Sequence, residues 1–130
     1  MTQINQAVIG LGSNINPEIH IPQAKEELAK GFSIIKVSEF IQTKPIGYAE
    51  QADFINGAVL LETPISLEQL RFKLQAIEKL LGRKKSTIKF GPRTIDLDVV
   101  VWNNKIIDQD FYTRDFLKKS VLQLIPNLAY

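Results

Sequence analysis

The stretch Ser66 to Gly82, SLEQLRFKLQAIEKLLG, decides the fold. Ser66 and Gln69 stand three apart, the spacing of a capping box in which each side chain serves the other residue's backbone N–H. Leu67, Leu70, Leu74, Ile77 and Leu81 recur at helical spacing, so one apolar stripe faces a core, and Gly82 ends the helix. The flanking runs are of a different kind. DFINGAVLLET (Asp53 to Thr63) before it and IDLDVVVW (Ile95 to Trp102) after it are short, apolar and rich in β-formers, which predicts a strand on each side.

Toward the N-terminus, AVIGLG (Ala7 to Gly12) reads as a first buried strand. Asn16 then caps a helix with Pro17 at its first position; Ile21, Ala24 and Leu28 share its inner face, and Gly31 stops it. FSIIKVSEFIQT (Phe32 to Thr43) predicts a second strand, broken by KPIG, with a loop from Lys44 to Ala52 leading into the third. After the fourth strand, Asn103 and Asn104 form a turn, Lys105 to Ile107 a short return strand, and the tail is helical to about Leu124. The order βαββαβ predicts an α+β, ferredoxin-like fold. In it an antiparallel sheet is backed on one face by two long helices, with a short C-terminal helix added. That fold hosts enzymes, metal-binding modules and RNA-binding domains, so function has to come from residues.

At 130 residues the chain predicts a single domain, 1–130. Apolar content of 45% and charged content of 23% are ordinary for a folded soluble protein. With no cysteine there is no disulfide and no thiolate chemistry, in keeping with a reducing compartment, so a cytoplasmic location is expected. The sequence holds neither a signal-like start nor an apolar segment of membrane-spanning length, and no membrane partner is expected. A net charge of +2 does not argue for nucleic acid.

The charge distribution says more than its sum. From Gly82 to Arg93 the chain carries Arg83, Lys84, Lys85, Lys89 and Arg93 and no acid, and Asp96 and Asp98 follow at once. In an extended chain those aspartates share one side, with Ile95, Leu97 and Val99 on the other. Like charges so placed repel and raise one another's pKa unless a cation intervenes. Mg²⁺ takes one or two carboxylates and completes its shell with water and phosphate oxygens. Basic residues beside a divalent-metal site are what a polyphosphate needs on its two sides. The plainer reading is a solvated basic loop followed by solvated acids at a strand edge.

Five segments carry a resemblance, in order: GSN within IGLGSN (Ile9 to Asn14), QTKPIG (Gln42 to Gly47), FINGAVLLET (Phe54 to Thr63), IEKLLGR (Ile77 to Arg83) and, most specifically, GPRTIDLDVVV (Gly91 to Val101). Together they resemble the 6-hydroxymethyl-7,8-dihydropterin pyrophosphokinase family of folate biosynthesis, up to LIPNL (Leu124 to Leu128). The resemblance implies a monomeric enzyme that transfers pyrophosphate from ATP to the pterin hydroxymethyl group, with AMP released and two Mg²⁺ ions held by Asp96 and Asp98. It implies that Arg83 and Arg93 also serve catalysis, and that ATP meets Gln75, Glu78, Lys85, Arg93, Val99 and Arg114. For the pterin it implies stacking on Phe54 and Phe116, an amide from Asn56, and loop contacts from Thr43, Pro45, Ile46 and Gly47. Without the resemblance, Gln75 and Glu78 would read as an ordinary polar helix face and the two phenylalanines as core. His20, the only histidine, reads as a helix residue without a catalytic part.

One segment departs from the family. Between Ile107 and Arg114 the chain has only DQDFYT, where the family runs several residues longer and carries a Pro-His segment that reaches ATP. A shortened, divergent member could therefore be an active enzyme or a non-catalytic pterin- or nucleotide-binding paralogue. An RNA-binding module is the remote alternative, because neither AVIGLG nor NGAVLLE offers the exposed aromatics on which such modules stack bases.

Overall fold

Alternation along β1 (Asn5–Ser13) sorts its side chains between two cores. Ala7, Ile9 and Leu11 are buried on one face, and Val8 joins a separate cluster on the other. The computed structural model describes residues 3–45, 51–82 and 94–130. Beyond β1 they form α1 (Pro17–Gly31), β2 (Ser33–Val37), β3 (Ile41–Thr43), β4 (Phe54–Thr63), α2 (Leu67–Leu80), β5 (Asp96–Trp102), β6 (Lys105–Ile106), α3 (Asp110–Thr113) and α4 (Asp115–Leu124). The sheet runs β2-β4-β1-β5-β6, with β3 also paired to β4, and every pairing is antiparallel. This is the expected ferredoxin-like arrangement, with β1 and β4 at its centre.

The capping box forms as predicted: Ser66 Oγ accepts from Gln69 N, and Gln69 Oε1 accepts from Ser66 N. Leu70 and Leu74 are buried, so α2 lies over the first core together with Ile21, Ala24 and Leu28 of α1. The other face is covered too. Val8, Ala58, Leu60, Val100 and Val101 pack under Phe111 of α3 and Val121 and Leu124 of α4. The C-terminal helix thus closes the sheet face on which an RNA-binding module would stack bases.

Three local expectations are corrected. Phe32 to Thr43 is two strands, because Ser38 interrupts the ladder: its hydroxyl accepts from Ala58 N at 2.8 Å while its N–H donates to Ala58 O at 2.9 Å. Phe40 then folds its ring over Gly57, where a Cβ would lie 2.5 Å from ring atoms. Asn16 makes no side-chain cap bond; it sits in the left-handed region at φ 46°, which asparagine tolerates, and its carbonyl accepts from Ile19 and His20 N. The return strand β6 stops at Ile106. Its turn does use Asn103 and Asn104, both at positive φ (48° and 65°).

One irregularity places the site. Opposite Val8 and Ile9 the partners are Val101 and Val99, so Val100 is an extra residue in β5. Val99 therefore faces the first core, and Val100 and Val101 both face the second. The freed Val100 carbonyl accepts from Ile107 N at 2.9 Å and Asp108 N at 3.4 Å, which draws the segment after β6 back along β5.

Candidate active site

Asp96 and Asp98 open β5, with Leu97 and Val99 directed into the first core between and after them. The two carboxylates thus share the opposite side, as alternation predicts. Two cavities meet there. The first is lined by Thr43, Phe54, Asn56, Arg114 and Phe116 together with Gly10 and Gly12 of β1. The second is lined by Arg71, Gln75 and Glu78 of α2 with Leu97, Val99 and Gln109. Asp96, Asp98 and Asp108 belong to both walls.

The Asp98 carboxyl keeps contact with solvent at the mouth of the cleft, yet it is crowded by protein on its other sides. That crowding, then the Asp96 charge, then a hydrogen bond donated to Asp96, and more weakly Asp108 and Glu78, push its pKa from 3.8 up to about 8. A cation would relieve this repulsion. Among the described residues no group of three or more His, Cys, Asp or Glu side chains is set to enclose a metal. An all-oxygen pair that leaves room for phosphate and water is the donor set Mg²⁺ favours, so the residues present fit that ion.

Of the residues the family resemblance pointed to, Asp96, Asp98, Gln75, Glu78 and Val99 come together around the second cavity, and Thr43, Phe54, Asn56, Phe116 and the aspartates around the first. Arg114, expected beside ATP, lines the first cavity and makes an ion pair with Asp110 at 3.5 Å. Pro45 does not line either cavity, whereas its neighbour Lys44 lines the first. Ile46, Gly47, Arg83, Lys85 and Arg93 lie outside the described residues. Glu78, expected beside ATP with Gln75 and without the resemblance no more than part of a polar helix face, is 9% exposed and accepts a hydrogen bond from Leu97 N at 2.8 Å.

Sequence reasoning missed Asp108, Gln109 and Asp110, the residues of the shortened segment. Asp108 and Gln109 reach the second cavity and Asp108 and Asp110 the first, with Asp108 Oδ1 accepting from Asp110 N at 2.9 Å to start α3. A signal was present: Asp108-x-Asp110 repeats the spacing of Asp96-x-Asp98.

The Asn56 amide is fixed from two sides. Its Nδ2 donates to Thr43 Oγ1, and its Oδ1 lies over Gly12, its partner across β1 and β4. A Cβ on Gly12 would approach that oxygen to 2.6 Å. Gly12→Ala is therefore expected to tilt the amide away and weaken binding of a ligand in the first cavity by about 1–3 kcal/mol, the cost of an unmet polar contact. Fluorescence titration with a pterin checks this, and an unchanged dissociation constant would remove Asn56 from the recognition surface.

Comparison with known sequences decides the family. Residues 8–126 match the family described as 7,8-dihydro-6-hydroxymethylpterin-pyrophosphokinase. The chain belongs to this pyrophosphokinase family. Its relatives include the 2-amino-4-hydroxy-6-hydroxymethyldihydropteridine pyrophosphokinase of Aquifex aeolicus, 30% identical over 94% of this chain and 81% of the relative. The Bacillus subtilis protein of the same name is 38% identical over 82% of this chain and 65% of its own length. The Folic acid synthesis protein fol1 of Pneumocystis carinii is 38% identical over 97% of this chain, which spans 18% of that longer protein. Within this chain the match reaches past Asp108–Arg114 and through α4, so the shortened segment lies inside the family region. Among the described residues no helix is long and apolar enough to cross a membrane.

Proposed function

We propose that this chain transfers the terminal pyrophosphate of ATP to the hydroxymethyl oxygen of 6-hydroxymethyl-7,8-dihydropterin, yielding AMP and the pterin diphosphate for folate biosynthesis. We propose also that it works as a monomeric, single-domain cytoplasmic enzyme. The meeting of two cavities at Asp96 and Asp98 carries the reading. An O–P bond forms at the β-phosphorus as the bond to the α-phosphate oxygen breaks, and such a transfer needs both substrates within about 3–3.5 Å at one point. Two sites sharing one acidic wall supply that point.

In this assignment the pterin occupies the first cavity, its ring against Phe54 and Phe116 and its amide edge on Asn56; flat rings and a directional amide suit a bicyclic heterocycle. The nucleotide occupies the second, beside Gln75 and Val99. Asp96 and Asp98 are the residues that would hold Mg²⁺, which would supply neutralisation of the negative charge on the transferring group. Arg114, at the N-cap of α4, lines the first cavity, and Arg83, Lys85 and Arg93, assigned by sequence position, supply further positive charge. The shortened segment furnishes both cavities, the first through Asp108 and Asp110 and the second through Asp108 and Gln109, which favours a working enzyme over a paralogue that only binds.

Product analysis tests this. Purified protein with ATP, Mg²⁺ and the reduced pterin is expected to form AMP and pterin diphosphate in equal amounts, without ADP. Ligand-induced thermal stabilisation with no AMP would establish the non-catalytic alternative.

A further inference from the structure

The inner stripe of α2 continues from Leu70 and Leu74 to a carboxylate, Glu78, four residues on. An apolar residue there would complete the stripe, whereas a buried carboxylate carries a desolvation cost that only good partners offset. Glu78 has such a partner: its Oε2 accepts from Leu97 N at 2.8 Å. Leu97 is the residue between Asp96 and Asp98. The β6 ladder reaches only Val101 and Trp102, so at Leu97 a side chain takes the place of a strand.

From this contact we infer that Glu78 is a positioning residue for the metal-holding pair, resting on the function proposed above. It ties the strand edge at Leu97 to α2, and α2 is itself seated on the first core through Leu70 and Leu74. The carboxylates on either side are thereby held at one depth on the shared wall. On its other edge the start of β5 pairs with β1, Gly12 opposite Asp96 and Gly10 opposite Asp98, and neither glycine offers a side chain to brace it. This differs from a nucleotide contact. A contact would show in ATP affinity, while a brace shows in metal affinity and in exchange of the Leu97 amide.

The test uses Mn²⁺ titrated into the whole chain with α,β-methylene ATP present, followed by electron paramagnetic resonance, and amide hydrogen exchange at Leu97. Glu78→Gln keeps an acceptor at nearly the same volume; Glu78→Met keeps the volume and loses the acceptor. Glu78→Leu, which completes the apolar stripe, replaces the Met variant if that one does not fold. Glu78→Met is expected to weaken Mn²⁺ binding about 10–100-fold, the usual effect of removing a group that orients metal ligands, and to speed Leu97 exchange. Glu78→Gln is expected to restore both. Unchanged Mn²⁺ affinity in Glu78→Met, or a loss confined to nucleotide affinity in both variants, overturns the inference. If wild type binds Mn²⁺ no better than Asp98→Asn, the metal assignment itself fails and takes the inference with it.

Discussion

Asp98→Asn is expected to lower turnover by about 10³-fold or more while leaving the metal-free protein more stable at pH 8 than the wild type. The first half follows from what the carboxylate does in the proposed reaction. Neutralising charge on a transferring phosphoryl group contributes several kcal/mol to the transition state, and about 4 kcal/mol is a thousandfold in rate. Asparagine keeps the shape and removes the charge. The second half follows from the raised pKa. Unfolded, this carboxyl loses its proton near its ordinary value of 3.8; folded, it holds the proton to about 8. Between those values the folded state binds more protons, so folding stability falls as pH rises through the window. The variant lacks that loss. Proton and metal also compete for the same oxygens, so wild-type Mg²⁺ affinity falls as pH drops below about 8. Steady-state rates, urea melts with chelator at pH 6 and 8, and Mg²⁺ titrations read out the three effects. Equal rates for variant and wild type would remove Asp98 from the chemistry.

Phe111→Ala is expected to cost about 3–5 kcal/mol, the range for deleting a fully buried phenylalanine, and to lower Tm by roughly 10–20 °C for a domain of this size. Phe111 is 0% exposed although it lies in the four-residue helix α3, and it packs edge-on with Tyr112 at 5.1 Å and Tyr130 at 5.5 Å. It anchors the segment that brings Asp108, Gln109 and Asp110 to the cavities. The loss should therefore appear in nucleotide and pterin binding as well as in stability. Tyr112→Ala is the control: 54% exposed, it should cost only about 0.5–1.5 kcal/mol, the worth of one aromatic pair. Urea denaturation of both variants checks the contrast, and equal costs would show that α3 is not held by its buried ring.

The legibility of the chain follows the range of the forces involved. The capping box, the α2 stripe and the orientation of Asp96 and Asp98 against Leu97 and Val99 are all local, set by spacing within one element, and the structure shows each of them. The break at Ser38 is not local, because it depends on a hydroxyl meeting Ala58 of another strand. The extra residue at Val100 lies in a run of three valines with no alternation to disturb, so nothing in the run marks it. Yet that residue returns Asp108 to the acids. Glu78 shows the limit of spacing alone. The stripe through Leu70 and Leu74 points inward at position 78, whereas charge alone would read as a polar face, and the hydrogen bond to Leu97 is a contact between elements that spacing does not carry. The second core was hidden for a different reason: the βαββαβ order says nothing about which face the tail will cover.

The central claim is that two substrates occupy two cavities that meet at one acidic wall. A crystal structure with α,β-methylene ATP, Mg²⁺ and the reduced pterin bound together tests it most directly. The pterin is predicted against Phe54, Asn56 and Phe116, the nucleotide beside Gln75 and Val99, and the metal between the β-phosphate and Asp96 and Asp98. Both ligands competing for one cavity, or phosphates bound away from these aspartates, would contradict the account.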